Sequence, residues 1–309
     1  MANTDYQLII LGGGPAGLTA GLYAARDRMQ VVLVEKGVVG GQVLVTDWID
    51  NYPGFPEGIS GFDLIEKMAA QAKRFELETK NANVVKVELT ETKKKLILES
   101  GEELTCQALI ICTGARPNKL GMPGEQELTG KGVSFCATCD GPFFRDQEIL
   151  VVGGGDTAVQ EADFLTKFAS KVTVIHRRDE LRATKVLQEK AFANEKIEFL
   201  WNSNVVAIEG EKEVERVRIR NNNGEESEMA ASGVFILIGT IPNNEILPLE
   251  QLGSDEFGFV ITDDDMCTKV GGVMAAGDIR SKTVRQVVNA TGEGAVAAIA
   301  AEHFLNKLD

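Results

Sequence analysis

Residues 7–20, "QLIILGGGPAGLTA", decide the fold, because residues 148–161, "EILVVGGGDTAVQE", repeat the same pattern. Each stretch is a short apolar run, then a triple-glycine turn, then a helix-like segment. A second apolar run follows each of them, at 31–36 and at 172–178. One glycine-rich turn alone is a weak signal, but two copies with the same flanking pattern predict two βαβ units.

The glycines have the spacing of dinucleotide-binding loops. They are Gly12, Gly14 and Gly17 in the first copy, and Gly153 and Gly155 with Ala158 in the second. The first position permits the tight turn, the second lets backbone approach a pyrophosphate, and the third allows close helix packing. Glu35 follows Gly12 at the same offset at which His176 follows Gly153, which coincidental glycine turns do not explain.

Two later segments extend the duplication. Residues 108–118 and 233–243 both read as an apolar strand, a glycine and a Pro-Asn pair, and alternating apolar and polar residues at 84–106 and 204–229 precede them. Such alternation with turn signals is typical of antiparallel meanders. The predicted fold class is α/β, with two Rossmann-like, three-layer ββα dinucleotide-binding domains, the second inserted into the first.

The residue at the end of the second strand distinguishes the two nucleotides. Glu35 in the first copy can hydrogen-bond both ribose hydroxyls and would repel a 2′-phosphate, which favours FAD or NAD. The second copy has His176 there, followed by guanidinium groups that suit a 2′-phosphate and therefore NADP. These are Arg177, Arg178 and Arg182. The alternative for 176–182 is a solvated helix face.

Composition excludes several classes of protein. The 309 residues carry a net charge of −14, which disfavours nucleic acid and anionic membrane surfaces as partners. Five scattered cysteines are not a secreted disulfide framework, and we expect a cytoplasmic protein. The CxxC pair Cys136 and Cys139 could then be half of a zinc site, an inert staple or a reversible disulfide. The sequence shows no further soft ligands beside it, which disfavours zinc.

Eight motifs in order resemble those of the low-molecular-weight bacterial thioredoxin reductases, over nearly the whole length. They are "GGGPAG" (12–17), "GGQ" (40–42), "NYPGFP" (51–56), "CATCDG" (136–141), "GGGDTA" (153–158), "HRRDELRA" (176–183), "AAGDIR" (275–280) and "RQVVNATGEG" (285–294). The resemblance implies an FAD domain at 1–117 plus 246–309, interrupted by an NADPH domain at 118–245 that carries the CxxC.

The resemblance also implies a set of contacts for each cofactor. The FAD residues are Gly12, Gly14, Pro15, Ala16, Gly17, Glu35, Lys36, Gly41, Gln42, Asn51, Thr113, Gly114, Gly277, Asp278, Arg285, Gln286 and Val287. The NADP residues are Gly153, Gly155, Asp156, Thr157, Ala158, His176, Arg177, Arg178, Arg182, Ile238 and Gly239. No metal is expected.

The resemblance assigns roles to the redox pair as well. It implies that Cys139 faces the flavin, that Cys136 attacks a disulfide of thioredoxin or a thioredoxin-like protein, and that Asp140 is the general acid. The alternative for Asp140 is a turn or N-cap residue. A departure is Thr240, where many members carry a histidine, and we expect it to spare the core chemistry while changing the flavin environment. Cys106, Cys112 and Cys267 are expected to be inert.

Thioredoxin-disulfide reduction is therefore the predicted function. The alternatives are a flavin-dependent reductase of another acceptor, of the peroxiredoxin or ferredoxin-linked type, and a non-enzymatic redox switch or scaffold. The resemblance further implies a homodimer, and a rotation of the NADPH domain that lets nicotinamide and dithiol reach one flavin in turn.

Overall fold

The computed structural model describes residues 4–46, 48–90 and 93–308. Two residues of the first predicted meander, 91 and 92, lie outside these ranges. The chain forms two compact units, one of 1–116 with 241–309 and the other of 117–240. The boundaries predicted from the sequence, after residue 117 and after residue 245, differ from these by one and five residues.

The strands follow the predicted order along the chain. They are β1 (Tyr6–Leu11), β2 (Val31–Glu35), β3 (Glu78–Asn81), β4 (Val84–Leu89), β5 (Lys94–Leu98), β6 (Glu103–Ile111), β7 (Ala115–Pro117), β8 (Val133–Ser134), β9 (Glu148–Val152), β10 (Lys171–Ile175), β11 (Ile197–Leu200), β12 (Ser203–Glu209), β13 (Arg216–Asn221), β14 (Glu226–Ala230), β15 (Gly233–Ile236), β16 (Thr240–Pro242) and β17 (Val273–Ala275).

The helices separate the parallel strands. They are α1 (Pro15–Arg26), α2 (Gly61–Lys73), α3 (Ala137–Asp140), α4 (Asp156–Leu165), α5 (Lys185–Phe192), α6 (Leu249–Leu252) and α7 (Val287–Leu305), with 3-10 helices at Gly41–Val45 and Gly141–Phe144. Among the described residues no helix combines the length and the apolar character that a membrane span requires.

The first unit is built on a seven-stranded sheet in which β1 lies between β2 and β6. Both of these neighbours run parallel to β1. Leu8 and Ile10 face one apolar cluster, while Ile9 and Leu11 face the other. Because both faces of a parallel sheet are covered, β1 reads as a continuous apolar run rather than an alternating one. The meander β4–β5–β6 is antiparallel and continues this same sheet.

The second unit repeats this plan on a smaller sheet. Its order is β11-β10-β9-β15-β8, and all of these pairs are parallel. In β9, Ile149 and Val151 face one cluster, and Leu150 and Val152 face the other. Its meander, β12–β13–β14, forms a separate three-stranded antiparallel sheet.

Helix α1 shows why the glycine motif determines local structure. Pro15 occupies the first turn, where its missing N–H costs nothing, and Gly14 is the N-cap. A Cβ on Gly17 would clash with the Gly12 carbonyl oxygen, and one on Gly294 of α7 would clash with the backbone of Ala16. Close packing of α1 on β1 and α7 therefore depends on these two glycines.

Candidate functional site

The redox turn lies at the N-terminus of α3 in the second unit. Cys136 and Cys139 form a disulfide with a Cα–Cα distance of 5.3 Å. Cys136 is the N-cap residue of α3, and its carbonyl accepts a hydrogen bond from the Asp140 N–H at 3.1 Å. The buried Ser134 hydroxyl accepts a hydrogen bond from the Cys136 N–H at 3.1 Å. The turn is thus held by backbone and by one buried hydroxyl.

Two partly buried carboxyl groups flank this turn. Burial raises the pKa of Asp140, and a hydrogen bond with Ser134 partly opposes the shift. Asp140 occupies the N-cap position of the 3-10 helix Gly141–Phe144, yet its side chain makes no capping hydrogen bond. Its carboxyl is therefore not used as a cap, and a raised pKa suits a proton donor near neutral pH.

The second carboxyl belongs to Glu161 on α4, which the sequence analysis missed. Its Oε2 accepts a hydrogen bond from the Ala137 N–H at 3.1 Å. Burial raises the pKa of Glu161, and this hydrogen bond opposes the shift. Helical spacing offered a signal, because Glu161 lies three residues after the buried Ala158 and four before the buried Leu165.

In the first unit, the predicted flavin residues converge from distant parts of the chain. Gly13 N–H donates to Glu35 Oε2 at 2.7 Å, so the strand-end carboxylate lies against the glycine turn. Asn51 Nδ2 donates to Gln286 Oε1 at 3.0 Å. A Cβ added at Gly14 would meet no atom within 4 Å, which leaves the backbone of the turn approachable, as a pyrophosphate requires.

Glu293 of α7 is a further residue that the sequence analysis missed. It accepts a hydrogen bond from the Gly277 N–H at 2.7 Å and pairs with Arg280 at 2.9 Å and with Lys282 at 3.3 Å. Lys282 also lies 3.2 Å from Asp278 Oδ1. This network fixes the "GDIR" loop on the N-terminal half of α7, next to the predicted flavin residues.

In the second unit, the predicted NADP residues surround the second glycine turn. The His176 ring packs beneath Gly154, and the Gly154 carbonyl accepts a hydrogen bond from the Arg182 N–H at 2.8 Å. Burial lowers the pKa of His176. Thr184 N–H donates to Asp156 Oδ1 at 2.7 Å. His176 therefore supports the turn from below.

The arginines after His176 lie on an exposed loop rather than on a helix. The side chains of Arg177, Arg178 and Arg182 are exposed and form no ion pair within the described part of the chain. The alternative of a solvated helix face at 176–182 is therefore wrong, because the segment contains no helix. Three uncompensated guanidinium groups remain at the end of β10.

Orphaned polar atoms show where bound groups fit. Four buried side-chain atoms lack a hydrogen-bond partner within the described ranges: Thr113 Oγ1, His176 Nε2, Asp278 Oδ1, which has the ion pair with Lys282, and Arg285 Nε. Buried polar groups almost always have partners in native proteins. Every one of these four residues was predicted from the sequence to contact a nucleotide, so both predicted sites fit a polar ligand.

The remaining cysteines lack the features of reactive thiols. Burial raises the pKa of Cys106 to about 12 and also raises the pKa of Cys112. Burial and the neighbouring Asp263 and Asp265 raise the pKa of Cys267. Since the thiolate is the reactive form, these three are poor nucleophiles. The described residues contain no cluster of three His, Cys, Asp or Glu side chains suited to a metal ion.

Comparison with known proteins identifies the family. Residues 6–294 match the family described as pyridine nucleotide-disulphide oxidoreductase. This chain belongs to that family. A thioredoxin reductase of Peptoclostridium acidaminophilum is 49% identical over 307 residues, covering 97% of both chains. One of Bacillus subtilis (strain 168) is 47% identical over 306 residues, covering 98% of this chain and 96% of the other.

A solved structure of this family agrees over the same length. The thioredoxin reductase of Streptococcus pyogenes MGAS5005 matches with a TM-score of 0.94 and 45% identity, covering 98% of each chain. The predicted α/β fold class and the resemblance to thioredoxin reductases are confirmed. Membership makes this pyridine nucleotide-disulphide oxidoreductase an enzyme, and implies a flavin and a pyridine nucleotide as its cofactors.

Proposed function

We propose that this oxidoreductase is a thioredoxin-disulfide reductase that takes hydride from NADPH, passes electrons through FAD and reduces its own Cys136–Cys139 disulfide. The observation that carries the proposal is the disulfide itself. It lies at the N-terminus of α3, beside the partly buried carboxyl of Asp140, in the unit that also contains the second glycine turn. A CxxC pair in this setting is suited to exchange rather than to stabilisation.

FAD is assigned to the first unit. Gly12, Gly14 and the N-terminus of α1 would hold the pyrophosphate, with Glu35 near the adenosine ribose. Thr113 Oγ1 and Arg285 Nε, which lack hydrogen-bond partners within the described ranges, would supply hydrogen bonds, and Asp278 would do so through its Oδ1, which lies 3.2 Å from Lys282. A flavin held by these residues would supply two-electron chemistry between a nicotinamide hydride and a disulfide.

NADPH is assigned to the second unit. The N-terminus of α4 would hold its pyrophosphate, and Arg177, Arg178 and Arg182 would bind the 2′-phosphate. This assignment is supported because the three arginines form no ion pair with any described residue, and a guanidinium already paired with a carboxylate would bind phosphate weakly. His176 would keep the turn in shape from beneath Gly154, with its buried Nε2 lacking a hydrogen-bond partner within the described residues.

The redox turn then performs dithiol–disulfide exchange. Two electrons and two protons convert the Cys136–Cys139 disulfide into two thiols. Cys136 attacks the disulfide of oxidised thioredoxin, and Asp140 gives its proton to the departing thiolate. Cys139 next attacks Cys136 in the mixed disulfide, which restores the internal bond and releases reduced thioredoxin. The Cys136 proton replaces the one that Asp140 gave, the Cys139 proton goes to the second thioredoxin sulfur, and the electron pair of the dithiol ends in the thioredoxin dithiol.

Thioredoxin, or a thioredoxin-like protein, is the proposed partner, because the relatives are named thioredoxin reductases. A homodimer, a cytoplasmic location and a rotation of the NADPH-binding unit against the FAD-binding unit remain predictions from the resemblance. So does the effect of Thr240, whose side chain is exposed in β16.

The test replaces Cys136 by serine. Cys136→Ser should still bleach its flavin on addition of NADPH, yet lose reduction of oxidised thioredoxin by a hundredfold or more, because nucleophilic thiol chemistry is removed. Cys267→Ser is the matched control, since it removes a thiol outside the redox turn, and it should keep full turnover. Unimpaired thioredoxin reduction by Cys136→Ser would refute the proposal.

A further inference from the structure

Glu161 connects the redox turn to the nucleotide-binding helix. It lies on α4, the helix that begins at the second glycine turn, and its Oε2 accepts the Ala137 N–H at 3.1 Å. Ala137 is fully buried and directly follows Cys136. The N–H that donates to Glu161 therefore belongs to the peptide bond between Ala137 and Cys136, and Cys136 is the cysteine proposed to attack the partner.

This contact has a predictable effect on the cysteines. A backbone N–H that donates to a thiolate stabilises the thiolate and lowers its pKa. Here the Ala137 N–H is already donated to the Glu161 carboxylate and is therefore not available to a thiolate. A pair whose reduced form is less stabilised has a lower reduction potential and is a stronger reductant.

The carboxyl group of Glu161 has the Ala137 N–H as its hydrogen-bond donor. Within the described ranges it forms no ion pair, and burial and the Ala137 hydrogen bond are the causes that shift its pKa. On α3, the titratable neighbours are the two cysteines and Asp140. Where α4 packs against α5, Lys190 of α5 forms an ion pair with Asp163 of α4 at 2.6 Å.

We propose that Glu161 is a positioning residue that holds the Cys136–Cys139 pair at a low reduction potential by accepting the Ala137 N–H. This inference rests on the proposed function, since it concerns the pair that would reduce thioredoxin. Reduction of the pair consumes two electrons, supplied by the pyridine nucleotide, and two protons. Glu161 exchanges neither electrons nor a bond with the cysteines, and acts only through charge and through the donor it occupies.

The experiment equilibrates the flavin-loaded protein in glutathione redox buffers and measures the reduced fraction of Cys136–Cys139 by alkylation. Glu161→Gln should shift the equilibrium constant toward the dithiol by about tenfold, which corresponds to about 30 mV. It should also move half-maximal alkylation by iodoacetamide to lower pH. Glu161→Ala should shift both further, because it frees the Ala137 N–H.

Asp163→Asn is the matched control. It removes a carboxylate two residues along the same helix, where Asp163 contacts Lys190 and Asn194 rather than the redox turn. It should leave the equilibrium constant and the alkylation profile unchanged. Thermal unfolding and flavin absorbance would establish that each variant is folded.

Unchanged equilibrium constants and alkylation profiles in folded Glu161→Gln and Glu161→Ala would overturn the inference. If these variants do not fold, Glu161→Asp decides, because it keeps the carboxylate and withdraws it from the Ala137 N–H by one methylene group. It should shift the equilibrium constant toward the dithiol by less than tenfold, and an unchanged constant would overturn the inference. The glutathione assay contains no thioredoxin, so its failure is distinct from failure of the Cys136→Ser test.

Discussion

The two units share a backbone plan and differ in the side chains that complete it. In the first unit, the strand-end residue Glu35 accepts the Gly13 N–H, so a carboxylate lies at the glycine turn. In the second, His176 packs beneath Gly154, and three exposed arginines follow it that form no ion pair in the described part of the chain. The turn is a general binder of pyrophosphate, while the strand end determines which ribose is accepted.

The third motif position differs as well. A Cβ on Gly17 would clash with the Gly12 carbonyl oxygen, whereas Ala158 already places a Cβ at the corresponding position of the second unit. Gly12 and Gly153 adopt φ angles of 108° and 155°, so the two turns are not superimposable copies. A shared motif therefore tolerates a methyl group in one unit and excludes it in the other.

The largest expected effect on stability comes from giving each unit the other unit's residue at the third motif position. Gly17→Ala should destabilise the first unit by about 3 kcal/mol, because overpacking against backbone cannot be relieved by a side-chain rotation. It should also lower the flavin content of the purified protein. Ala158→Gly should cost only about 1 kcal/mol, the usual penalty for glycine in a helix. Denaturant unfolding and flavin absorbance measure both, and equal losses in the two variants would contradict the difference between the turns.

The second unit carries the redox pair, and Asp140 beside it is the proposed proton donor. Replacing Asp140 tests this role. Asp140→Asn should lower thioredoxin turnover by about a hundredfold, since general acid catalysis is lost. Flavin reduction by NADPH should persist. Retention of full turnover would show that the proton comes from another group.

The same variant has a defined effect on stability against pH. Because the folded-state pKa of Asp140 is raised, its protonated form stabilises the fold, and that contribution is lost as pH rises through the folded pKa. Asp140→Asn should therefore be slightly more stable than wild type at neutral pH, and the two melting temperatures should converge in acid. A variant less stable than wild type at neutral pH would contradict this sign.

A smaller effect is expected for each arginine of the second unit. Replacing Arg177, Arg178 or Arg182 by alanine should lower kcat/KM for NADPH by about tenfold, as expected for one charge-assisted hydrogen bond to a phosphate. The value for NADH should change little. Steady-state kinetics with both nucleotides measure this, with Arg216→Ala in β13 as the control. Parallel losses with both nucleotides would exclude a 2′-phosphate site.

Much of this architecture could be predicted because it depends on local chemistry. The glycine turns, apolar strands and meanders each leave a sequence pattern, and the redox pair is marked by its CxxC spacing. The roles of Glu161 and Glu293 could not be predicted from the sequence. The N–H groups that donate hydrogen bonds to them belong to Ala137 and Gly277, which are distant in sequence. The loop at 176–182 was ambiguous, because a run of charged residues does not itself distinguish a helix from a loop.

The alternation of apolar and polar residues likewise could not predict whether a meander joins the main sheet of its unit. Both meanders alternate apolar and polar residues, yet β4–β5–β6 extends the first sheet and β12–β13–β14 stands as a sheet of its own. In the first unit, β6 is long enough to pair with β5 at one end and with β17 at the other. Strand length and tertiary pairing decide this, and neither is encoded within one meander.

Anaerobic stopped-flow reduction tests the central claim most directly, that the first unit holds a flavin and the second delivers NADPH electrons to a disulfide. Wild-type protein is mixed with NADPH or with NADH, and oxidised thioredoxin is then added. We expect rapid flavin bleaching by NADPH, much slower bleaching by NADH, and return of the oxidised flavin spectrum with formation of reduced thioredoxin. Equal bleaching by both nucleotides, or thioredoxin that stays oxidised, would contradict it.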